Sequence, residues 1–199
     1  MSNVPSKPPL LRRYVHLVRH GQYFYDREHP EYGELTELGC DQARSLVPRV
    51  AAMPIRKVFY SPTPRAKQTY EVLRAAFQNF ELEESDLLVE GFPTQSLRQF
   101  WEHPIPLRQL NQHRVRMNKA FRMLFQPPEE ITRHDLVITH GNFIRYIWCK
   151  AQRSSLLRWS NMDIYQASLT TISVDNLGRI RLVRFGDTGH MREDQLTLI

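Results

Sequence analysis

Cysteine is scarce in this sequence: Cys40 and Cys149 are the only two among 199 residues. Two isolated cysteines do not make the framework of bridges that stabilises small secreted proteins, so a reducing compartment, the cytoplasm, is expected. Long apolar runs are also missing, since no stretch approaches the ~18 consecutive apolar residues that cross a membrane. The N-terminal residues MSNVPSKPPLLRR contain no apolar segment of the length that a secretory signal needs. The sequence therefore predicts neither a disulfide-rich secreted domain nor a membrane partner.

Patterns for binding metal or nucleic acid are lacking too. No Cys, His and Asp cluster has metal-ligand spacing, so neither a metal nor another cofactor is expected. The net charge of +6 could indicate nucleic-acid binding. However, the basic residues are scattered, acidic ones lie among them, and no zinc-finger, RNP or basic-helix signature occurs. We expect no nucleic-acid partner and attribute the positive charge to a surface that attracts phosphorylated substrates.

Short runs of β-forming residues recur along the chain. The predicted strands cover residues 14–19, 56–60, 87–89, 135–139, 166–174 and 179–185. The last two form a hairpin, because residues 175–178 (DNLG) are typical of a turn.

Segments with helical periodicity alternate with these strands. Helices are predicted from the N-cap Thr36 to about residue 51, over 65–77, over 106–125, and from the cap Asn142 to about residue 151. Pro48 is expected to bend or shorten the first helix. This alternation predicts an α/β fold: a single three-layer α/β/α sandwich with a mainly parallel central sheet, covering residues 14–199 after a tail at 1–13.

Side chains that can act as nucleophiles, proton donors or cations follow several predicted strands. They are Arg19 and His20, the segment Ser61–Arg65, Glu90 and His140. Taken singly, each has an ordinary explanation, since a histidine after a strand is usually a loop residue and an arginine at a helix start is usually solvated. Because the carboxyl ends of parallel strands meet at one edge of a sheet, we expect these side chains to converge.

Together these residue types suit phosphoryl transfer. That reaction needs an in-line nucleophile, positive donors around the phosphate oxygens and an acid for the leaving oxygen. An imidazole attacks phosphorus through its unprotonated nitrogen, and arginines match phosphate oxygens with fork-shaped donors. The predicted helix start at Asn142 adds backbone donors. Glu90 is a candidate general acid, since apolar neighbours and a bound phosphate both discourage its ionisation.

Four sequence blocks resemble the signatures of the histidine phosphatase superfamily, in the same order. They are LVRHGQ (17–22), LTELGCDQA (35–43), SPTPRAKQT (61–69) and ITHGNFIRYI (138–147). The resemblance implies a metal-independent enzyme in which His20 is the phosphorylated nucleophile. It implies that Arg19, Arg65 and His140 bind the phosphate and that Glu90 is the proton donor.

Other residues of the same blocks are expected at the phosphate or substrate: Ser61, Gly141 and Asn142. A narrower likeness, in residues 87–93, 137–151 and 185–191, is to the mitochondrial serine/threonine protein phosphatases of this superfamily. Those proteins carry a membrane anchor and an oligomerisation segment that we do not recognise here, so the cytoplasm remains our expectation. After Glu90 the sequence continues Gly-Phe-Pro without the mutase-type motif, which favours hydrolysis over mutase activity.

The leading interpretation is a phosphatase for phosphoserine or phosphothreonine in proteins. Two alternatives stay open: a phosphatase for sugar or nucleotide-related metabolites, and a phosphate-recognition module without catalysis. A homodimer is possible, and the segment 186–199 could close over the site or form a subunit contact. Residues 92–105 are a predicted lid, in which Arg98 and His103, with Arg108 just beyond it, could meet an acidic phosphopeptide.

Overall fold

The computed structural model describes residues 10–26, 28–29, 32–95 and 104–198. Strands and helices alternate along the described chain. The strands are β1 (Arg12–Arg19), β2 (Ile55–Tyr60), β3 (Glu81–Glu84), β4 (Arg133–Thr139), β5 (Leu169–Asp175) and β6 (Ile180–Asp187). The α-helices are α1 (Glu37–Ala51), α2 (Pro64–Leu73), α3 (Leu107–Leu124) and α4 (Gly141–Ala151). Four short 3₁₀ helices lie at Arg74–Ala76, Asp86–Leu88, Leu156–Asn161 and Glu193–Gln195.

All six strands form one sheet in the order β3-β2-β4-β1-β5-β6. The first four strands in that order pair in parallel, and the β5–β6 hairpin joins β1 antiparallel. The predicted α/β fold with a mainly parallel sheet is therefore confirmed. The carboxyl ends of β1, β2 and β4 consequently lie at one edge.

The two faces of the sheet support separate apolar cores. Leu136 and Ile138 of β4 pack with α1 and α2, whereas Val137 between them packs with α3 and α4. Successive side chains of a strand point to opposite faces, so the apolar run of β4 is covered on both sides. This gives the three predicted layers.

The strand predicted at residues 87–89 is wrong. A 3₁₀ turn, Asp86–Leu88, occupies that place. The edge strand is β3, which ends before this turn, at Glu84. β3 has the polar sequence ELEE, so it shows no apolar alternation. It is held instead by pairing with β2 and by Lys57, whose ammonium lies 2.9 Å from Glu83.

Helix ends also correct the sequence interpretation. Thr36 caps α1 as predicted, accepting from the backbone N–H of Gly39 at 3.0 Å. The helix ends at Ala51, also as predicted, so Pro48 does not shorten it. The cap of α4 is His140, so Asn142 lies inside that helix. The predicted tail is also too long, because Arg12 and Arg13 already belong to β1.

The C-terminal segment after β6 packs on its own chain. Gln42 of α1 donates to the carbonyl of Gln195 and the hydroxyl of Thr197, both at 2.7 Å. The segment is therefore bound to α1. Arg49 of the same helix forms an ion pair with Asp187, the last residue of β6. Within the described ranges, no helix combines the length and apolar character that a membrane crossing requires.

Candidate active site

His20 directly follows β1 and is buried. Its Nδ1 lies 2.8 Å from the carbonyl oxygen of Gly21. A carbonyl can only accept, so Nδ1 carries the proton and Nε2 presents its lone pair. Burial first, and then the charges of Arg19 and Arg65, lower the pKa of His20 well below its usual 6.5. The imidazole is thus neutral and oriented, which is the form a nucleophile requires.

Two glycines let α1 approach the loop that follows His20. A Cβ on Gly21 would lie 2.4 Å from the carbonyl oxygen of Gly39, and a Cβ on Gly39 would lie 1.9 Å from that of Gln22. Neither position can accept a larger residue without moving backbone. The contact brings Gln42 within 2.8 Å of the Gln22 N–H, so that α1 holds the loop. The glycines of the first two sequence blocks thus serve to let α1 and the loop after His20 lie close together.

Arg65 lies in the first turn of α2 and points at the nucleophile. Its Nε is 3.2 Å from Nε2 of His20, and its Nη2 is 3.4 Å from Nδ1 of His140. The ring of Tyr23 lies 4.6 Å from the guanidinium carbon. Thr69, one turn later in α2, accepts from the Gly21 N–H at 3.1 Å. The same helix therefore positions both the cation and the nucleophile loop.

His140 follows β4 and is fully buried beside His20, with the ring centroids 5.0 Å apart. Its Nε2 lies 2.8 Å from the hydroxyl of Ser61 and 3.4 Å from that of Thr63. Burial and the neighbouring His20, Arg65 and Arg19 lower the pKa of His140 well below 6.5. Ser61 thus orients His140, and its predicted contact with phosphate stays a prediction.

Arg19 ends β1 and packs against the start of α4. Its Nη1 donates to the carbonyl of Ile164 at 2.5 Å, and within the described part of the chain its buried Nε has no hydrogen-bond partner. Gly141 permits this packing, since a Cβ there would lie 3.3 Å from that Nε. Burial lowers the pKa of Arg19 to about 10, so the guanidinium remains charged at neutral pH. An unused buried donor beside His20 suits an anionic ligand.

Glu90 faces His140 from the loop after the Asp86–Leu88 turn. Its Oε2 is 4.0 Å from Nδ1 of His140, and its Oε1 accepts from the Asn142 N–H at 3.2 Å. The backbone donor of Asn142 that we expected at the phosphate is therefore occupied by this carboxylate. Burial raises the pKa of Glu90 above 4.5, although Arg19 and Arg65 oppose the shift. A carboxyl that is readily protonated suits a general acid.

The structure thus brings together the five residues predicted to carry the chemistry: Arg19, His20, Arg65, Glu90 and His140. The predicted lid does not join them in the described chain. Arg108 is exposed at the start of α3, while Arg98 and His103 lie outside the described residues.

Three further side chains near the site escaped the sequence analysis: Tyr23, Arg116 and Arg145. Arg145 lies one turn after Gly141 on α4, a spacing that could have indicated it, and its Nη1 donates to the side-chain oxygen of Asn142 at 2.9 Å. Arg116 comes from α3 and binds the backbone around Glu90. Nothing in the local sequence signals that long-range contact. Among the described residues, no group of three or more His, Cys, Asp or Glu could hold a metal ion.

Comparison with known proteins agrees with this geometry. The family model described as the histidine phosphatase superfamily (branch 1) matches residues 15–188. This chain belongs to that superfamily. A superfamily relative, the mitochondrial serine/threonine-protein phosphatase PGAM5 of Xenopus tropicalis, is 29% identical over 194 residues, which are 95% of this chain and 69% of the relative.

Several solved structures share the fold of this chain. A phosphoglycerate mutase from Plasmodium falciparum has a TM-score of 0.64 and 25% identity, over 92% of this chain and 96% of its own. A mycobacterial glucosyl-3-phosphoglycerate phosphatase has a TM-score of 0.65 and 19% identity, over 88% and 99%. This chain is therefore a hydrolase, a histidine phosphatase that resembles phosphoglycerate mutase. The expected cytoplasmic location is wrong, because the matching relatives are named as mitochondrial.

Proposed function

We propose that this chain is a metal-independent phosphatase that hydrolyses phosphomonoesters through a phosphohistidine at His20, acting on phosphoserine or phosphothreonine in proteins. The observation that carries the proposal is the state of His20. Its Nδ1 proton is bound by the Gly21 carbonyl, and its unprotonated Nε2 accepts a hydrogen bond from Nε of Arg65 at 3.2 Å. A neutral, oriented imidazole beside a cation is suited to attack a phosphate.

In the first step, Nε2 of His20 forms a bond to phosphorus as the bond from phosphorus to the ester oxygen breaks. The departing oxygen takes the proton of Glu90, so that Glu90 becomes a carboxylate. Arg19 and Arg65 donate to the equatorial oxygens and stabilise their charge. The products are the free alcohol and phosphohistidine.

In the second step, water attacks the phosphorus of the phosphohistidine. The Glu90 carboxylate accepts a proton from that water, and the phosphorus–nitrogen bond breaks to restore neutral His20. Inorganic phosphate leaves, and Glu90 is again protonated for the next cycle. The same carboxyl thus serves as acid and then as base.

His140 contributes a second nitrogen to the phosphate pocket. Its Nδ1 lies between Arg65 and Glu90, while Nε2 is held by Ser61. A phosphate dianion would favour protonation of His140 by its negative charge, so that Nδ1 becomes a donor. With two guanidiniums and this imidazolium, the pocket neutralises the phosphate as Mg²⁺ does in other phosphoryl transferases.

A protein substrate is supported by the relatives named serine/threonine-protein phosphatase. The relative from Xenopus tropicalis matches 95% of this chain. The same relatives support a mitochondrial location. A metabolite substrate is the alternative, since a mycobacterial glucosyl-3-phosphoglycerate phosphatase shares this fold. Comparing kcat/KM for phosphoserine and phosphothreonine peptides with that for a panel of phosphometabolites distinguishes the two. A metabolite hydrolysed far faster than every peptide would replace the protein-phosphatase proposal. Sedimentation of the purified protein tests the possible homodimer.

The covalent intermediate provides the direct test of the chemistry. Brief incubation with ³²P-labelled substrate, followed by a quench, is expected to trap an acid-labile, base-stable phosphoenzyme. His20→Asn should abolish both the label and turnover, whereas His29→Asn, which alters an exposed histidine after β1, should keep both. Normal turnover by His20→Asn would contradict the mechanism.

A further inference from the structure

The guanidinium of Arg116, on α3, lies against the backbone of the loop that carries Glu90. It donates to the carbonyl of Val89 and, at 2.8 Å, to that of Glu90 itself. Longer contacts reach the carbonyls of Leu87 at 3.5 Å and Asp86 at 3.4 Å. Four carbonyls of one turn thus converge on a single side chain. Only arginine presents enough donors in a fixed plane for such an arrangement.

The backbone that follows Glu90 also packs closely against α3. Gly91 is buried, and a Cβ there would lie 2.8 Å from Nη2 of Arg116 and 3.1 Å from the His113 ring. The Phe92 N–H donates to Nδ1 of His113 at 3.3 Å. Helix α3 therefore supports the loop immediately before and immediately after the acid.

This support matters because the loop belongs to no strand of the sheet. His20 and His140 each follow a strand directly, whereas a short 3₁₀ turn precedes Glu90. The carboxylate accepts from two backbone N–H groups, those of Asn142 and Gly91. The carbonyl of Glu90 is bound by Arg116.

We infer that Arg116 is the positioning residue of the general acid: by binding four carbonyls of the segment that ends at Glu90, it holds the Glu90 carboxyl beside His140. Arg116 contacts none of the reacting atoms and acts through Glu90. The inference rests on the proposed function, in which Glu90 protonates the leaving oxygen. A displaced acid would impair that proton transfer and leave nucleophilic attack intact.

Leaving groups of different basicity separate these two effects. An alkyl phosphate, such as a phosphoserine peptide or glycerol phosphate, needs a proton on its departing oxygen. The aryl substrate p-nitrophenyl phosphate needs much less help. Arg116→Met keeps the apolar stem and removes the donors. It is expected to lower kcat on the alkyl substrate about 10- to 10²-fold, as small misplacements of catalytic groups do, and kcat on the aryl substrate by less than about 3-fold.

Matched variants keep the test independent of folding. Arg114→Met alters an exposed arginine of α3 that contacts Asn111 and not the loop, and it should change neither rate. Arg116→Lys keeps the charge without the planar fork and should recover part of the alkyl rate. Gly91→Ala retains both Arg116 and Glu90 but displaces the loop from α3, so it should reproduce the selective alkyl loss. Thermal unfolding of each variant shows that the rates are measured on folded protein.

The double variant Arg116→Met/Glu90→Gln decides how the residue acts. If Arg116 works through Glu90, adding Arg116→Met to Glu90→Gln should cost no further alkyl activity. Additive losses, or equal losses on both substrates in Arg116→Met and Gly91→Ala, would overturn the inference while leaving the proposed function intact. Failure of the proposed function looks different, because Glu90→Gln alone would then slow both substrates equally.

Discussion

The two sides of the candidate active site are built differently. On the nucleophile side, His20, Arg65 and His140 are 1%, 4% and 0% exposed, and each lies directly at the end of a strand or the start of a helix. On the acid side, Glu90 is 31% exposed and lies in a loop held by side chains of α3 and by the first turn of α4. Sheet topology positions the nucleophile, whereas long-range contacts position the acid. The nucleophile side should therefore tolerate less change, and the acid side should determine which leaving groups are accepted.

The largest effect that sharpens this comparison is expected from Arg65→Met. Its guanidinium is 3.2 Å from the attacking nitrogen of His20, so its loss removes charge stabilisation whatever the leaving group is. The expected fall in kcat/KM is about 10²- to 10³-fold, on alkyl and aryl phosphates alike. Arg74→Met, an exposed arginine after α2, serves as control. A loss confined to alkyl phosphates would assign Arg65 to the acid side and break the comparison.

The pH dependence of kcat/KM reports on both sides at once. Activity requires neutral His20, whose pKa lies well below 6.5, so the acid limb falls as pH drops through that lowered value. It also requires protonated Glu90, whose pKa is raised above 4.5. Activity on the alkaline limb therefore falls as pH rises through this raised pKa. Each limb changes by about tenfold per pH unit beyond its pKa. Glu90→Gln should remove the alkaline limb, and an unchanged limb in that variant would assign it to another group.

The residues on the side that sheet topology positions could be predicted from the sequence. His20 and His140 follow apolar strands whose pairing in a parallel sheet brings them together, so their proximity could be predicted. Glu90 was found by its motif, although the strand expected before it is a 3₁₀ turn. Arg116 could not be found, because its contacts join residues 26 to 30 positions apart in a loop without periodicity. The contact of Ser61 with His140 could not be predicted, because a hydroxyl gives no sign of whether it will meet another side chain.

A smaller effect is expected behind the nucleophile, at Gln42. Its buried amide accepts from the Gln22 N–H and donates to Gln195 and Thr197, linking the nucleophile loop to the C-terminal segment. Gln42→Ala removes these three hydrogen bonds and should lower the free energy of unfolding by about 1–3 kcal/mol, as measured with urea. Gln152→Ala, which is exposed at the end of α4, should stay within about 0.5 kcal/mol. The kcat values for alkyl and aryl phosphates should fall together in Gln42→Ala, since the loop carries the nucleophile.

The smallest effect is expected at the rim, where Arg108 is exposed in the first turn of α3. An extended phosphopeptide with acidic residues could reach this charge, whereas a small phosphate could not. Solvent-exposed ion pairs are weak and are screened by salt, so Arg108→Ala should raise KM for an acidic phosphopeptide by only about 2- to 5-fold at low ionic strength. The difference should vanish in roughly 0.5 M salt, where the Debye length is only a few ångströms. Arg122→Ala, in the last turn of the same helix, provides the control for net charge. Equal effects of the two substitutions would show that peptide attraction comes from the overall positive charge, and would remove Arg108 from the substrate path. An effect on p-nitrophenyl phosphate as large as that on the peptide would instead place Arg108 close to the phosphate, so that the acid side would reach further along α3 than Arg116.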